Sequence, residues 1–208
     1  IEECLKKVEA ASVRLRGWDY PHVPQRDDGG RNLVAGASYY VGWIDWGVHK
    51  EIWRLYQSGQ FIHYRALYED WFAEETWCSE RERKIAPGSV LSVQQTIYLL
   101  TEVFKFLSAL IRQGLYKEGV RVRIKLRNTA GRKLVVFDPR RAPFLVDHET
   151  EAKHLTFGKT YEAADRLEES PCEFALEPIL HFFKDFGWTD VSMETIKEDQ
   201  RKLLRGDV

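Results

Sequence analysis

Residues 89–114 read SVLSVQQTIYLLTEVFKFLSALIRQG. Val90, Val93, Ile97, Leu100, Phe104, Leu107 and Ile111 recur at intervals of three and four, which marks one apolar face of a helix. Leu91, Tyr98, Val103, Phe106 and Leu110 widen that face. Such a stripe predicts a central helix packed on a sheet. Ser89 is the expected N-cap and Gly114 the expected stop.

On the N-terminal side the pattern changes to that of strands. Residues 1–10 read as a short helix. Residues 12–20 alternate, with Val13 and Leu15 apolar and Arg14 and Arg16 polar, so one strand is expected there until Pro21 and Pro24 end it. Residues 25–32 contain Asp27-Asp28-Gly29-Gly30 and read as a polar loop. Residues 33–46 are rich in Val, Tyr, Trp and Gly, which suits a strand with bulges. Ser58-Gly59 separates two β-prone runs and predicts a two-residue hairpin turn. That turn would place Tyr56 opposite Phe61 and Trp53 opposite Tyr64. A helix is expected from residue 64 to 72, then a charged connector over 79–88 ending in Pro87-Gly88.

On the C-terminal side, residues 120–137 read as a second hairpin turning at Asn128-Thr129-Ala130-Gly131. Short strands are expected at 144–146 and 154–157. Glu177-Pro178 would open a helix that Gly187 stops, and 192–204 forms a final, more exposed helix. The sum is an α+β fold: a mostly antiparallel sheet, a long central amphipathic helix and C-terminal helices. The expected organisation is one domain over 1–208, with a Trp-rich β part at 12–72, the helix at 89–113, a basic hairpin at 120–137 and a helical part at 171–205.

Composition excludes several classes. Of 208 residues, 44% are hydrophobic and 30% charged, which is globular rather than disordered. The most apolar run, 97–111, is interrupted by Thr101, Glu102, Lys105 and Ser108, so no membrane association is expected. Cys4, Cys78 and Cys172 are far apart and form no CxxC pair, which argues against a zinc ribbon or disulfide framework and for a cytoplasmic location. The first residue is Ile, with charged residues following and no signal sequence, so a piece of a longer protein is expected. Walker, GxGxxG, GxSxG and HExxH motifs are missing, and no cofactor or metal is expected.

The net charge of −1 conceals a basic middle. Arg121, Arg123, Lys125 and Arg127 share one face of the expected strand, about 6.6–6.8 Å apart. Arg132 and Lys133 lie near its tip, and Arg140 and Arg141 follow. A row of one sign can track a phosphate backbone, although a solvated strand can also carry one. Trp18, Trp43, Trp46, Trp53, Trp71 and Trp77 crowd the first part of the chain. Among them Trp43, Trp46 and Trp53, with Tyr56 and His63, are candidates for stacking or for lining a pocket; filling a core is the other use of such residues. The odd separation of Trp43 and Trp46 places them on opposite faces of a regular strand. Asp19, His22, Asp45, His49 and Glu51 lie close in sequence and could form an acid–base site, but no known spacing joins them.

Arg16-Gly17-Trp18-Asp19-Tyr20-Pro21-His22, followed by Glu51-Ile52-Trp53-Arg54-Leu55-Tyr56-Gln57-Ser58-Gly59-Gln60-Phe61, resembles the region downstream of the AlbA-type (Schlafen-like) domain in bacterial ATP- or nucleic-acid-binding proteins. The resemblance covers roughly residues 12–72 and carries no catalytic residues. The AlbA-type domain itself lies outside it. The resemblance implies a C-terminal accessory module that senses a ligand or partner, or mediates assembly. The leading expectation is therefore a non-catalytic binding or sensor module of a larger bacterial protein, taking nucleic acid or a nucleotide-like anion. The alternatives are a domain that self-associates or docks on its parent, through the wide stripe of the 90–111 helix and the exposed tryptophans, and a hydrolase or nuclease using Asp19, His22, Asp45, His49 and Glu51.

Overall fold

The computed structural model describes residues 2–24, 32–46, 49–70, 76–78, 83–162 and 164–207. Most of the expected loop over 25–32 lies outside them. Helix α1 (Glu2–Ala11) leads into a small antiparallel hairpin of β1 (Val13–Arg14) and β2 (Asp19–Tyr20). The single strand expected over 12–20 is thus folded back on itself. Gly17, at φ +86°, supplies the left-handed residue that the reversal needs.

Strands β3 (Leu33–Ala35), β4 (Tyr39–Trp46), β5 (His49–Tyr56) and β6 (Phe61–Arg65) form a four-stranded antiparallel meander in that order. The long strand expected over 33–46 is two strands, closed where the Gly36 N–H donates to the Tyr39 carbonyl at 2.8 Å. The β5–β6 turn is one residue longer than expected. The Gly59 N–H donates to Tyr56 O, the Tyr56 N–H donates to Gln60 O, and Gly59 sits at φ +84°. This is a turn followed by a left-handed residue, a three-residue loop. It moves the register by one, so Trp53 opposes His63, Ile52 opposes Tyr64 and Leu55 opposes Phe61. Because strand side chains alternate, Trp53 turns inward while Tyr64 turns outward. Trp53 is fully buried over Gly42, its cross-strand partner; a Cβ there would lie 2.4 Å from the indole ring.

A 3-10 turn at Tyr68–Asp70 stands where a helix over 64–72 was expected, residues 71–72 being outside the described set. Strands β7 (Thr76–Cys78) and β8 (Arg83–Ile85) pair antiparallel, the latter within the expected connector. Strand β9 (Val90–Ser92) then precedes α2 (Val93–Arg112). The helix is capped by Ser92, whose Oγ accepts the Gln95 N–H at 3.2 Å, rather than by Ser89. It starts late because β9 is engaged in parallel pairing with β11 (Lys133–Val135). Gly114, at φ +82°, lies just beyond the helix end.

The expected 120–137 hairpin does not form. Strand β10 (Val120–Arg127) instead pairs along its length with β12 (His154–Tyr161) in an antiparallel ribbon. Asn128 turns the chain at φ +55°, and Thr129 anchors it to the start of β12, donating from its N–H to Lys153 O and from its hydroxyl to Ala152 O. Residues 144–146 form no strand. Helices α3 (Ala164–Glu169), α4 (Pro171–Asp185) and α5 (Met193–Arg205) complete the chain. Helix α4 opens at Pro171, leaving Pro178 within it, and Ser192 and left-handed Gly206 bracket α5.

Helix α2 is central, as its wide stripe predicts. Ile97, Leu100, Phe104 and Leu107 pack with Leu126 and Phe157 of the ribbon and with Phe182 and Phe183 of α4. Phe106, Ala109 and Leu110 pack with Leu5 and Val8 of α1 and with Tyr40, Trp53 and Leu55 of the meander. The fold is α+β, mostly antiparallel. Among the described residues no helix is long and apolar enough to cross a membrane.

Candidate nucleic-acid interface

The β10–β12 ribbon has one apolar and one polar face. Leu126, Leu155, Phe157 and Tyr161 are buried, with Val122 and Ile124 half-buried beside them. Arg121, Arg123, Lys125 and Arg127 are exposed on the other face, as the alternation requires. Their cross-strand partners are Thr160, Gly158, Thr156 and His154, none of them acidic. A Cβ at Gly158 would meet nothing within 4 Å, so the face is open opposite Arg123. Among the described residues no ion pair engages these four cations. Three nearby cations are paired with acids: Lys159 with Glu177 at 2.6 Å, Arg140 with Asp138 at 3.3 Å, and Arg141 with Asp199 at 2.5 Å.

Two expected members of the basic patch are placed otherwise. Arg132 is buried, donating through Nε to Asn128 O, through Nη1 to Val90 O and through Nη2 to Asp70 Oδ1 at 2.6 Å. It ties the end of β10 to β9 and the 3-10 turn and has no surface to offer an anion. Lys133 lies 2.7 Å from Asp147 Oδ2 and 3.8 Å from Glu149 Oε2. The uncompensated row is therefore four residues on one strand.

The aromatic residues divide between core and surface. Trp53 is not available for stacking: its ring packs on Phe61, and its indole N–H donates to His22 O at 2.7 Å. His63 is held between the Glu51 carboxylate and the Tyr20 hydroxyl. Trp43 points to the outward face of the meander, in a cross-strand row with Ile52 and Tyr64. Trp46 points the other way, past the edge of the core, against His22 and His49. Tyr56 accepts a hydrogen bond from Arg54 Nη1 at 3.1 Å, and the Arg54 guanidinium lies over the Tyr39 ring. Beside Asp45, Lys50 and Arg54, the outward face carries exposed apolar side chains: Val34 is 49% exposed, Ile52 44% and Tyr64 55%. It meets the ribbon at its edge, where the Arg127 guanidinium lies 5.8 Å from the Tyr64 ring centroid. Tyr64 is the site residue that sequence reading missed. The signal for it is Gly59 in Tyr56-Gln57-Ser58-Gly59-Gln60, which suits a three-residue loop and so reverses the faces.

The expected acid–base cluster assembles only in part. Glu51 is buried, with Oε1 accepting the His22 N–H at 2.7 Å and Oε2 within 3.2 Å of His63 Nε2 and 3.3 Å of His49 Nε2. His63 Nδ1 lies 3.1 Å from the Tyr20 hydroxyl. Burial alone would raise the Glu51 pKa, but the hydrogen bonds from both imidazoles and from the His22 N–H overcome it and hold the carboxylate well below its ordinary value. Burial pushes the Tyr20 phenol far up. Asp45 turns away to pair with Lys50, and Asp19 lies beside α1 with Ser12 and Leu5. The polar atoms of Glu51 and Tyr20 are turned on neighbouring side chains and backbone, which describes a brace between the β1–β2 hairpin and the meander. Among the described residues no three His, Cys, Asp or Glu are placed to hold a metal ion.

Comparison of the chain with family models, curated proteins and solved structures gives no match.

Proposed function

We propose that this chain is a non-catalytic binding module of a larger bacterial intracellular protein, and that its ligand is nucleic acid or a nucleotide-like polyanion held on the outward face of the β10–β12 ribbon. The observation that carries this reading is the row Arg121, Arg123, Lys125 and Arg127, exposed and opposed by no acid. Like charges at two-residue spacing repel, and a solvated face usually mixes signs to relieve this. A run of phosphates relieves it as well and releases counterions on binding. The resemblance to the region downstream of an AlbA-type domain agrees with an accessory role. The test is an anisotropy titration with labelled DNA, RNA and nucleotides at about 50 mM salt, where the electrostatic term is large. Binding that weakens as salt rises supports the reading. No binding to any of these ligands at low salt rejects it.

A docking or self-association role is the second reading, and the apolar outward face of the meander favours it. The stripe of α2 is enclosed by the ribbon, α4, α1 and the meander, which leaves that outward face as the contact. Light scattering across a concentration series separates the two readings. The hydrolase reading lacks its geometry, since Asp19 and Asp45 do not converge with Glu51.

A further inference from the structure

We infer that the ligand is a single strand of nucleic acid rather than a duplex, its phosphates following β10 and a base lying on Tyr64; this rests on the nucleic-acid reading above. The first reason is the junction of the two faces. Arg127, the last cation of the row, is the residue that lies over Tyr64, so a chain tracking the row from Arg121 arrives at an aromatic ring that is 55% exposed. An exposed ring next to a cationic track is how proteins hold unpaired bases, because every base has a face to stack. In a duplex those faces are already occupied by neighbouring base pairs, and Tyr64 would have nothing to receive.

The second reason is the surface around the ring. Trp43 and Ile52 stand in one row with Tyr64, and Ile62 lies on the same strand face with Arg54 opposite it, so the ring is set in a largely apolar floor with one cation at its side. A sheet face touching only a phosphate backbone has no use for such a floor, whereas splayed bases bury it. The third reason is shape. Three intervals of about 6.7 Å make the row about 20 Å long and nearly straight. A duplex backbone completes a turn in about 34 Å and curves away from a straight track of that length. A flexible single strand follows it. Thr156, Gly158 and Thr160 across the ribbon leave the track shallow. The expected footprint is about five nucleotides, within the usual range for single-strand sites.

The experiment compares four probes on the same protein: labelled 16-nucleotide single strands of DNA and RNA, a 16-base-pair duplex, and inorganic polyphosphate as a polyanion without bases. Single strands are expected to bind at least about tenfold more tightly than the duplex. Tyr64→Ala is expected to weaken single-strand binding about tenfold, the size of one lost stacking contact, and to leave polyphosphate binding unchanged. Tyr64→Phe keeps the ring face and is expected to bind as the parent does. Equal or tighter duplex binding overturns the single-strand inference and leaves the polyanion reading intact. The same holds if Tyr64→Ala binds single strands undiminished. If Tyr64→Ala abolishes self-association without changing oligonucleotide affinity, the face belongs to a second copy of the chain and the inference fails. Failure of all four probes to bind removes the nucleic-acid reading together with it.

Discussion

Gly158→Glu places a carboxylate opposite Arg123, in the middle of the basic row. Gly158 lies on an ordinary strand backbone, and a Cβ there meets nothing within 4 Å, so the substitution has room. An opposite-charge pair across the ribbon contributes about 0.2–1 kcal/mol, and replacing a strand glycine removes its entropic cost. The melting temperature is therefore expected to stay level or rise. Binding moves the other way. Four phosphate contacts on a single strand give a slope of about −2.8 for log K against log salt, or a fall of about 50-fold between 50 and 200 mM. With Arg123 neutralised, three contacts remain, the slope becomes about −2.1, and affinity at 0.1 M salt drops about fivefold. Anisotropy titrations across that salt range measure slope and affinity together, and circular dichroism checks the fold. Gly158→Ser is the control and keeps the parent slope. A folded Gly158→Glu protein with unchanged slope and affinity refutes the assignment of the row as the contact.

Other parts of the molecule give outcomes of a different kind. Arg132→Met removes a buried guanidinium that donates to Asn128, Val90 and Asp70, and is expected to cost about 2–3 kcal/mol in denaturant unfolding while leaving the salt slope unaltered; a changed slope with parental stability would return Arg132 to the binding surface. Gly42→Ala drives a methyl group into the Trp53 ring and is expected to lower stability by about 1–3 kcal/mol, so parental stability would show that the indole can move aside. Glu51 has a folded pKa below its ordinary 4.5. Its contribution to stability is therefore fully present above about pH 4.5 and is lost as the pH falls below that value, through the folded pKa. Glu51→Gln is expected to flatten the acid side of the stability–pH profile, measured by thermal melts between about pH 6 and pH 3; an acid limb as steep as the parent's would place its origin in other carboxylates.

Much of the molecule is legible from local pattern. The spacing in residues 89–114 makes α2 central, because a helix apolar over so much of its surface has to be enclosed. The alternation of Arg121, Arg123, Lys125 and Arg127 with Val122, Ile124 and Leu126 puts the cations together on one face whichever strand lies beside them. Ser192 and Gly206 bracket α5 through interactions within a few residues of each helix end. Periodicity and capping depend on neighbours along the chain, and a single sequence displays them.

Only the tertiary structure decided what those faces meet. Strand β10 pairs with β12, across an intervening segment that sends β11 to β9 over the same core. That choice rests on contacts between distant residues, such as Thr129 with Lys153 and Ala152, which no local pattern encodes. Arg132 and Arg127 belong to one basic run, yet one is a buried tie and the other an open cation, because the chain turns at Asn128 between them. The left-handed Gly59 reverses the faces of β6 relative to β5, burying Trp53 and exposing Tyr64. Sequence periodicity states which residues share a face; strand register and long-range packing determine which face is covered and which stays open to a ligand.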